Sequence, residues 1–274
     1  MLKFVLYANN LPEHGRMIRF GSGVLPLYTH VDWRDFWSSD EVQSQLKEWF
    51  LPVGQLIEAT GVRTSWHPDH FVALASERED VRIRSREEIE YHARMLEFLG
   101  LVRRPLESKI NIHINGKLGP AQFLKEFDKL SDIARDNLTV ENSDVGSYGI
   151  EECLSLERVP VVLDLHHHWI MTGEHLMPDN YIWNRVRRTW RHAGTPTIHF
   201  SISKEEHVPS SDTMPDLAAL KAAGKTTTDL RAHSDRYHHA ALCEYIKQWA
   251  PHAHIMLECK HKNLAHAELM QKIF

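Results

Sequence analysis

Seven residues of metal-binding type fall where strands would end, and an eighth lies in a long excursion between two of them. His67 closes RTSWHP (63–68), His113 closes KINIH (109–113), and Glu141 lies in NLTVEN (137–142). Asp164 and His167 stand three apart in VPVVLDLHH (159–167), His199 lies in TPTIHFSIS (195–203), and Glu258 in HAHIMLEC (252–259). His233, in RAHSD (231–235), completes the set. A single His at a strand end is ordinarily a satisfied polar residue. Six successive strands sharing the feature call for a common cause, because the C-terminal ends of parallel strands converge in a (β/α) barrel. Five imidazoles and three carboxylates would then share one pocket. Without cations the carboxylates repel and protonate, at a cost in desolvation. A mixed nitrogen and oxygen shell suits Mn²⁺, Fe²⁺ or Zn²⁺ better than Ca²⁺ or Mg²⁺. Eight ligands exceed one tetrahedral site, so the expectation is two or three divalent ions. Close metal pairs suit phosphodiester hydrolysis, where one ion activates water and another stabilises the leaving oxygen.

The elements that must position these residues alternate along the chain. With MIRFG at the front of 17–23, the β-branched runs give seven strand signals, flanked by Pro, Gly or Asn. Between them lie amphipathic stretches. Ser85 and Glu88 read as a capping box ahead of Ile89, Ala93, Leu96 and Leu99, with Gly100 as the stop. Gly119-Pro120 opens a helix with Phe123, Phe127, Leu130 and Ala134 on one face. Tyr237 to Ala250 reads as a helix, and 203–234 as a long loop-like excursion. Strand and helix alternation predicts an α/β fold with a parallel sheet, best read as a single TIM-type (β/α) barrel domain over 1–274, with a doubly wound open sheet as the alternative. No GxGxxG follows a strand, which removes support for a dinucleotide site.

Composition adds bounds. The chain has 274 residues, 42% hydrophobic and 25% charged, with a formal net charge of -5 that does not advertise a nucleic-acid binder unless bound cations reverse the sign locally. Cys153, Cys243 and Cys259 show no CxxC spacing and read as packing residues. No apolar run reaches a membrane span and no signal-peptide pattern opens the chain, so the expected location is cytoplasmic. Histidine is abundant, at 20 residues. His14, His175 and His252 are the expected surface imidazoles.

Taken together, GSGVLPLYTH (21–30), WHPDHF (66–71), INIHINGKLG (110–119), LTVENSD (138–144), VPVVLDLHHH (159–168), IHFSIS (198–203), RAHSD and IMLECKHK (255–262) resemble the UV damage endonucleases, in family order. The resemblance runs from about residue 9 to about 265 and rests on the combination. It implies a metal-dependent TIM-barrel repair nuclease that nicks damaged double-stranded DNA immediately 5′ to UV photoproducts, without base removal. It implies the ligand set His67, His113, Glu141, Asp164, His167, His199, His233 and Glu258, the same residues found at the strand ends and in the excursion. Mn²⁺ is the first expectation, with Zn²⁺ or Mg²⁺ as alternatives. Glu141 and Glu258 are catalytic candidates that also orient water, and Lys260 joins them. Lys260 and Lys262 follow Glu258 and are placed to reach backbone phosphates. No membrane and no obligate protein partner are expected. An endonuclease IV-like abasic-site enzyme and a lesion binder that does not cut are the competing readings; a sugar isomerase on the same barrel fits poorly, since it needs fewer His ligands and a catalytic lysine.

The sequence departs from the family in three places. The family's probing pair, Gln-Tyr, is replaced by His70 and Phe71, which retain a hydrogen-bonding group and a stacking face for lesion and DNA binding. The lysine two before the sixth-strand histidine is Thr197 here. LKFVLYANN aligns with the end of the family's first helix, so a seven-stranded barrel is expected, although KFVLY alone passes as a strand. A seven-stranded barrel would leave two unpaired edges. The basic runs VRIRSR (81–86) and WNRVRRTWRH (183–192) read equally as solvated helix faces or phosphate contacts. Trp33, Phe36, Trp37 and Trp49 are expected mostly in the core, with Trp33 the one candidate for a DNA groove.

Overall fold

The computed structural model describes residues 1–12, 15–69, 71–102, 107–146, 148–191 and 193–273. Two compact units emerge, Met1–Val140 and Glu141–Phe274. Seven strands occur among the described residues: β1 Met17–Gly21, β2 Arg63–His67, β3 Ser108–His113, β4 Leu138–Glu141, β5 Val161–Asp164, β6 Thr197–Phe200 and β7 His254–Leu257. All seven were legible as β-branched runs, and helices separate them as the α/β reading requires.

In the first unit β1 pairs in parallel with β2, setting Gly21 opposite His67, and β2 pairs in parallel with β3. Residues of one strand alternate between two faces, so Lys109, Asn111 and His113 share one side of β3. On β4, Thr139 Oγ1 lies 2.8 Å from Asn111 Oδ1, to which it donates. The helices Asp40–Thr60 and Glu79–Leu99 each stop at a glycine in the left-handed region, Gly61 at φ 66° and Gly100 at φ 75°. They cross so closely that a Cβ on Gly54 would sit 1.7 Å from Leu99 O. Glu126, almost fully buried, gathers Arg82 and Arg86 from the second of these helices together with Lys129.

In the second unit β5 pairs in parallel with β6, and β6 with β7. Trp183, Trp249 and Tyr245 fill its interior, with the two indoles edge to face at 5.0 Å. The 203–234 excursion is partly ordered rather than a plain loop. It contains the helices Leu217–Ala222 and Thr227–Arg231, the second with a Thr226/Asp229 capping box, and an antiparallel bridge between Ser203 and His233. Its apolar side chains Val208, Leu217 and Leu230 cluster on Trp169 and Ile170.

Several local expectations are corrected. Ser85 is no cap: the helix begins six residues earlier, and Ser85 Oγ donates to Val81 O while accepting from Ala73 N. The helix opened by Gly119 ends at Phe127. Leu130 and Ala134 are buried too, but a new helix, Asp132–Asn137, starts after a Ser131 cap. The helix expected over 237–250 is confined to Ala240–Lys247. KFVLY is helical, within Leu2–Asn9, so it does not act as a strand. Trp33, Phe36 and Trp49 are exposed, and Trp37 is half-buried, so this group is not core. His175 is half-buried against Trp169 rather than a surface imidazole, and His252 is exposed; His14 lies outside the described residues. Among the described residues, no helix is long and apolar enough to cross a membrane.

Candidate metal centre

Asp164 is the hinge between strand and helix. β5 is fully buried and apolar up to this residue, and the chain then turns directly into the helix Leu165–Thr172. Thus His166, His167 and His168 are helical, not strand residues. Asp164 Oδ1 accepts the backbone N–H of His167 at 2.7 Å, which caps the new helix and fixes the His167 backbone. Asp164 Oδ2 is buried with no hydrogen-bond partner.

Around that oxygen, Glu141, Asp164, His199 and Glu258 each present a ligand atom within 4.8 Å of the others. Each comes from a strand's C-terminal end or the residue next to it. His199 is fully buried on β6. Its Nδ1 lies 3.0 Å from Glu141 Oε2 and 3.2 Å from Glu258 Oε1, yet neither ring nitrogen makes a hydrogen bond of good geometry. His167 sits beside the group, with Nδ1 3.4 Å from Glu141 Oε1 and 2.9 Å from Asn142 O. His233 is half-buried, with ring centroids 6.3 Å from His167 and 5.7 Å from His166.

The electrostatics reflect three carboxylates packed together. Burial pushes the Asp164 carboxyl up, and the nearby Glu141 and Glu258 charges push it further, against the pull of His167. Burial would lower both ligand-type imidazoles, but the carboxylates outweigh it. His199 is pushed up to about 9 by Glu141 and Glu258, and His167 to about 9 by Asp164, Glu141 and Asp144. A buried carboxylate oxygen without a hydrogen bond and a buried imidazole caught between two carboxylates form a cluster that could hold a cation. The donor set of two glutamates, one aspartate and imidazole fits Mn²⁺ or Zn²⁺.

In the first unit His67 and His113, on adjacent strands β2 and β3, have ring centroids 5.9 Å apart, and His67 Nδ1 lies 3.0 Å from Pro68 O. Phe71 follows, 46% exposed. His70 lies outside the described residues. Lys260 and Lys262 are both exposed. Lys260 N donates to Ser234 O, so its backbone is tied to the His233 segment. The arginines of VRIRSR are held by acids, Arg82 and Arg86 by Glu126 and Arg84 by Asp80. Arg185 likewise reaches both oxygens of Glu151.

Sequence reasoning missed the groups that orient the ligands. Asn142, fully buried, bonds the Asp164 backbone twice, through Nδ2 to O at 3.0 Å and Oδ1 from N at 2.8 Å. Its own carbonyl accepts from His167 Nδ1, so Nε2 is the nitrogen that can ligate a cation. Asp144 Oδ2 lies 3.9 Å from that Nε2 and accepts from Arg231 Nε at 2.6 Å. His166 is clamped between Ser201 Oγ at 2.7 Å and Ser203 Oγ at 3.1 Å. The signal was present for Asn142 and Asp144, polar residues just past a strand-end carboxylate. Nothing local marks the pairing of His166 with two serines 35 and 37 residues on.

The family model described as UV-endonuclease UvdE matches residues 2–274. The chain belongs to that family. Among UvdE relatives, it is 28% identical over 270 residues to the UV DNA damage endonuclease of Bacillus velezensis, covering 94% of this chain and 74% of that protein. It is also 28% identical over 292 residues to the UV-damage endonuclease of Schizosaccharomyces pombe, covering 99% of this chain and 42% of that much longer protein. The solved structure of SacUVDE superposes with a TM-score of 0.71 at 24% identity, covering all of this chain and 88% of its own. That likeness shows the fold, the TIM-type (β/α) class expected of UvdE proteins. Endonuclease IV from Thermus thermophilus shares the fold more distantly, with a TM-score of 0.55, 15% identity and coverage of 94% and 96%.

Proposed function

We propose that this UvdE-family chain is a metal-dependent DNA repair endonuclease that nicks the phosphodiester immediately 5′ to UV photoproducts in double-stranded DNA. The observation that carries the reading is the buried meeting of Glu141, Asp164, His199 and Glu258, with orphaned donor atoms on Asp164 and His199. His67, His113, His167 and His233 complete the ligand set for two or three divalent ions, Mn²⁺ first. When bound, such ions activate water, stabilise the departing oxygen and draw the DNA phosphate toward a chain whose own net charge is -5.

The chain's own residues do the rest. Glu141 and Glu258 flank His199 and orient the attacking water through whichever carboxylate oxygen is not a ligand. Asp164 fixes the His167 backbone, and Asn142 fixes its ring, so that Nε2 is presented as a neutral donor. Lys260 and Lys262, exposed beyond Glu258, take backbone phosphates, and Phe71, with His70, stacks at the lesion.

The test is nicking of a duplex carrying one cyclobutane dimer, with Mn²⁺, beside undamaged and abasic duplexes. A cut just 5′ of the dimer, abolished in Glu141→Gln with melting temperature unchanged, is the expected result. Cutting confined to the abasic duplex would replace the reading with an endonuclease IV-like activity. Lesion binding by the Mn²⁺-loaded protein without any cut would replace it with a binding role.

A further inference from the structure

Leu27 is one of three non-glycine residues with positive φ among the described residues, at 62°. Side chains with a Cβ are disfavoured there, and glycine would adopt it freely. Nor does burial hold the residue in place, for it is 54% exposed. Its neighbours do. Leu25 N donates to Tyr91 Oη at 2.9 Å, and Tyr91 in turn donates to Ser22 O at 3.0 Å. Tyr28 stacks on Tyr91 with centroids 4.8 Å apart, and Thr29 Oγ1 donates to the buried Glu88 Oε2 at 3.0 Å. His30 N closes a turn on Leu27 O at 3.0 Å. The surrounding structure therefore over-determines a strained backbone that carries an exposed isobutyl group.

The location says what that group faces. The segment leaves the C-terminal end of β1, the same end of the strands as His67. It is tied to the segment after β2 by Asp69 N donating to Ser22 Oγ at 3.1 Å. That second segment carries Phe71, another exposed apolar side chain at this end. Apolar side chains that enter DNA act as wedges between base steps, and a damaged, poorly stacked step is the cheapest to open.

We propose that Leu27 is a specificity-determining residue, an apolar wedge that packs against the bases of the damaged step beside Phe71. The inference rests on the nicking function proposed above.

Leu27→Gly and Leu27→Asn both suit positive φ while removing the apolar group, and Leu27→Met retains it. Each would be compared as Mn²⁺-loaded protein for melting temperature and for KM and kcat on the dimer duplex. The expected result is Gly and Asn proteins that melt at or above wild type yet need roughly tenfold or more substrate, the worth of burying one leucine. Their kcat should be largely kept, and Met should restore KM. Wild-type KM in the Gly and Asn proteins would overturn the inference. So would a loss of nicking that tracks a fall in melting temperature and that Met fails to rescue. A wild-type protein that nicks no dimer duplex sinks the functional reading itself, and this inference with it.

Discussion

Loading the Glu141–Asp164–His199–Glu258 cluster with Mn²⁺ near neutral pH should expel about two protons. In the cation-free protein His167 and His199 titrate at about 9, so both are imidazolium at pH 7. A metal takes only the neutral ring, so each must lose its proton on binding. The apparent affinity should therefore rise by roughly 100-fold between pH 6.5 and 7.5, and flatten above pH 9. The same protons set the stability of the cation-free form. Folded values raised from 6.5 to about 9 mean stabilisation fully present below pH 6.5 and lost as pH rises through 9. At 1.36 kcal/mol per unit, either imidazolium is worth about 3 kcal/mol, and since both face Glu141 the two are not additive. Titration calorimetry with Mn²⁺ in two buffers of different ionisation enthalpy counts the protons. Melting curves from pH 6.5 to 9.5 should show a declining midpoint in chelator and a level or rising one in Mn²⁺. Heats independent of buffer, with a flat chelated melting profile, would refute the argument, because the imidazoles would then be neutral or would not be ligands.

Two further outcomes follow from the packing. Asn142→Ala removes both bonds to the Asp164 backbone, and should cost about 2 kcal/mol in urea unfolding and 10- to 100-fold in Mn²⁺ affinity; unchanged affinity would show that Asp164 is held in place some other way. Gly54→Ala drives a methyl to 1.7 Å from Leu99 O, a backbone atom that cannot swing aside, and should lower stability by about 3 kcal/mol or prevent folding, read from the denaturation midpoint.

What the sequence made legible, and what it hid, divides along physical lines. His67, His113, Glu141, Asp164, His199 and Glu258 could be found because buried strands are short apolar runs, and a polar residue at their C-terminal end stands out. The end of β5 was less clear. Leu165 continues the apolar run, and only the capping bond from Asp164 shows that the chain has already become helix. The S-x-x-E pattern at Ser85 misled because a serine inside a helix can bond back to the carbonyl four residues earlier, as it does to Val81. The apolar face from Phe123 to Ala134 keeps helical spacing across a break, since both helices bury the same side. Trp33, Phe36 and Trp49 carry no sequence mark of exposure. Of the site's supports, Asn142 and Asp144 stand just past a strand-end carboxylate and carried a signal, whereas the Ser201–His166–Ser203 clamp joins residues 35 and 37 apart and left no local mark.

Asp164 spends its two oxygens on different tasks, one on the helix that follows and one on the cluster. Loss of its carboxylate is therefore a single lesion with two symptoms: the cation loses a ligand, and the turn that presents His167 loses its anchor. Chain assembly and chemistry are coupled at one side chain, so most substitutions at this position damage both. An uncharged capping residue such as asparagine separates them, since its amide oxygen still caps a helix while the charge is gone.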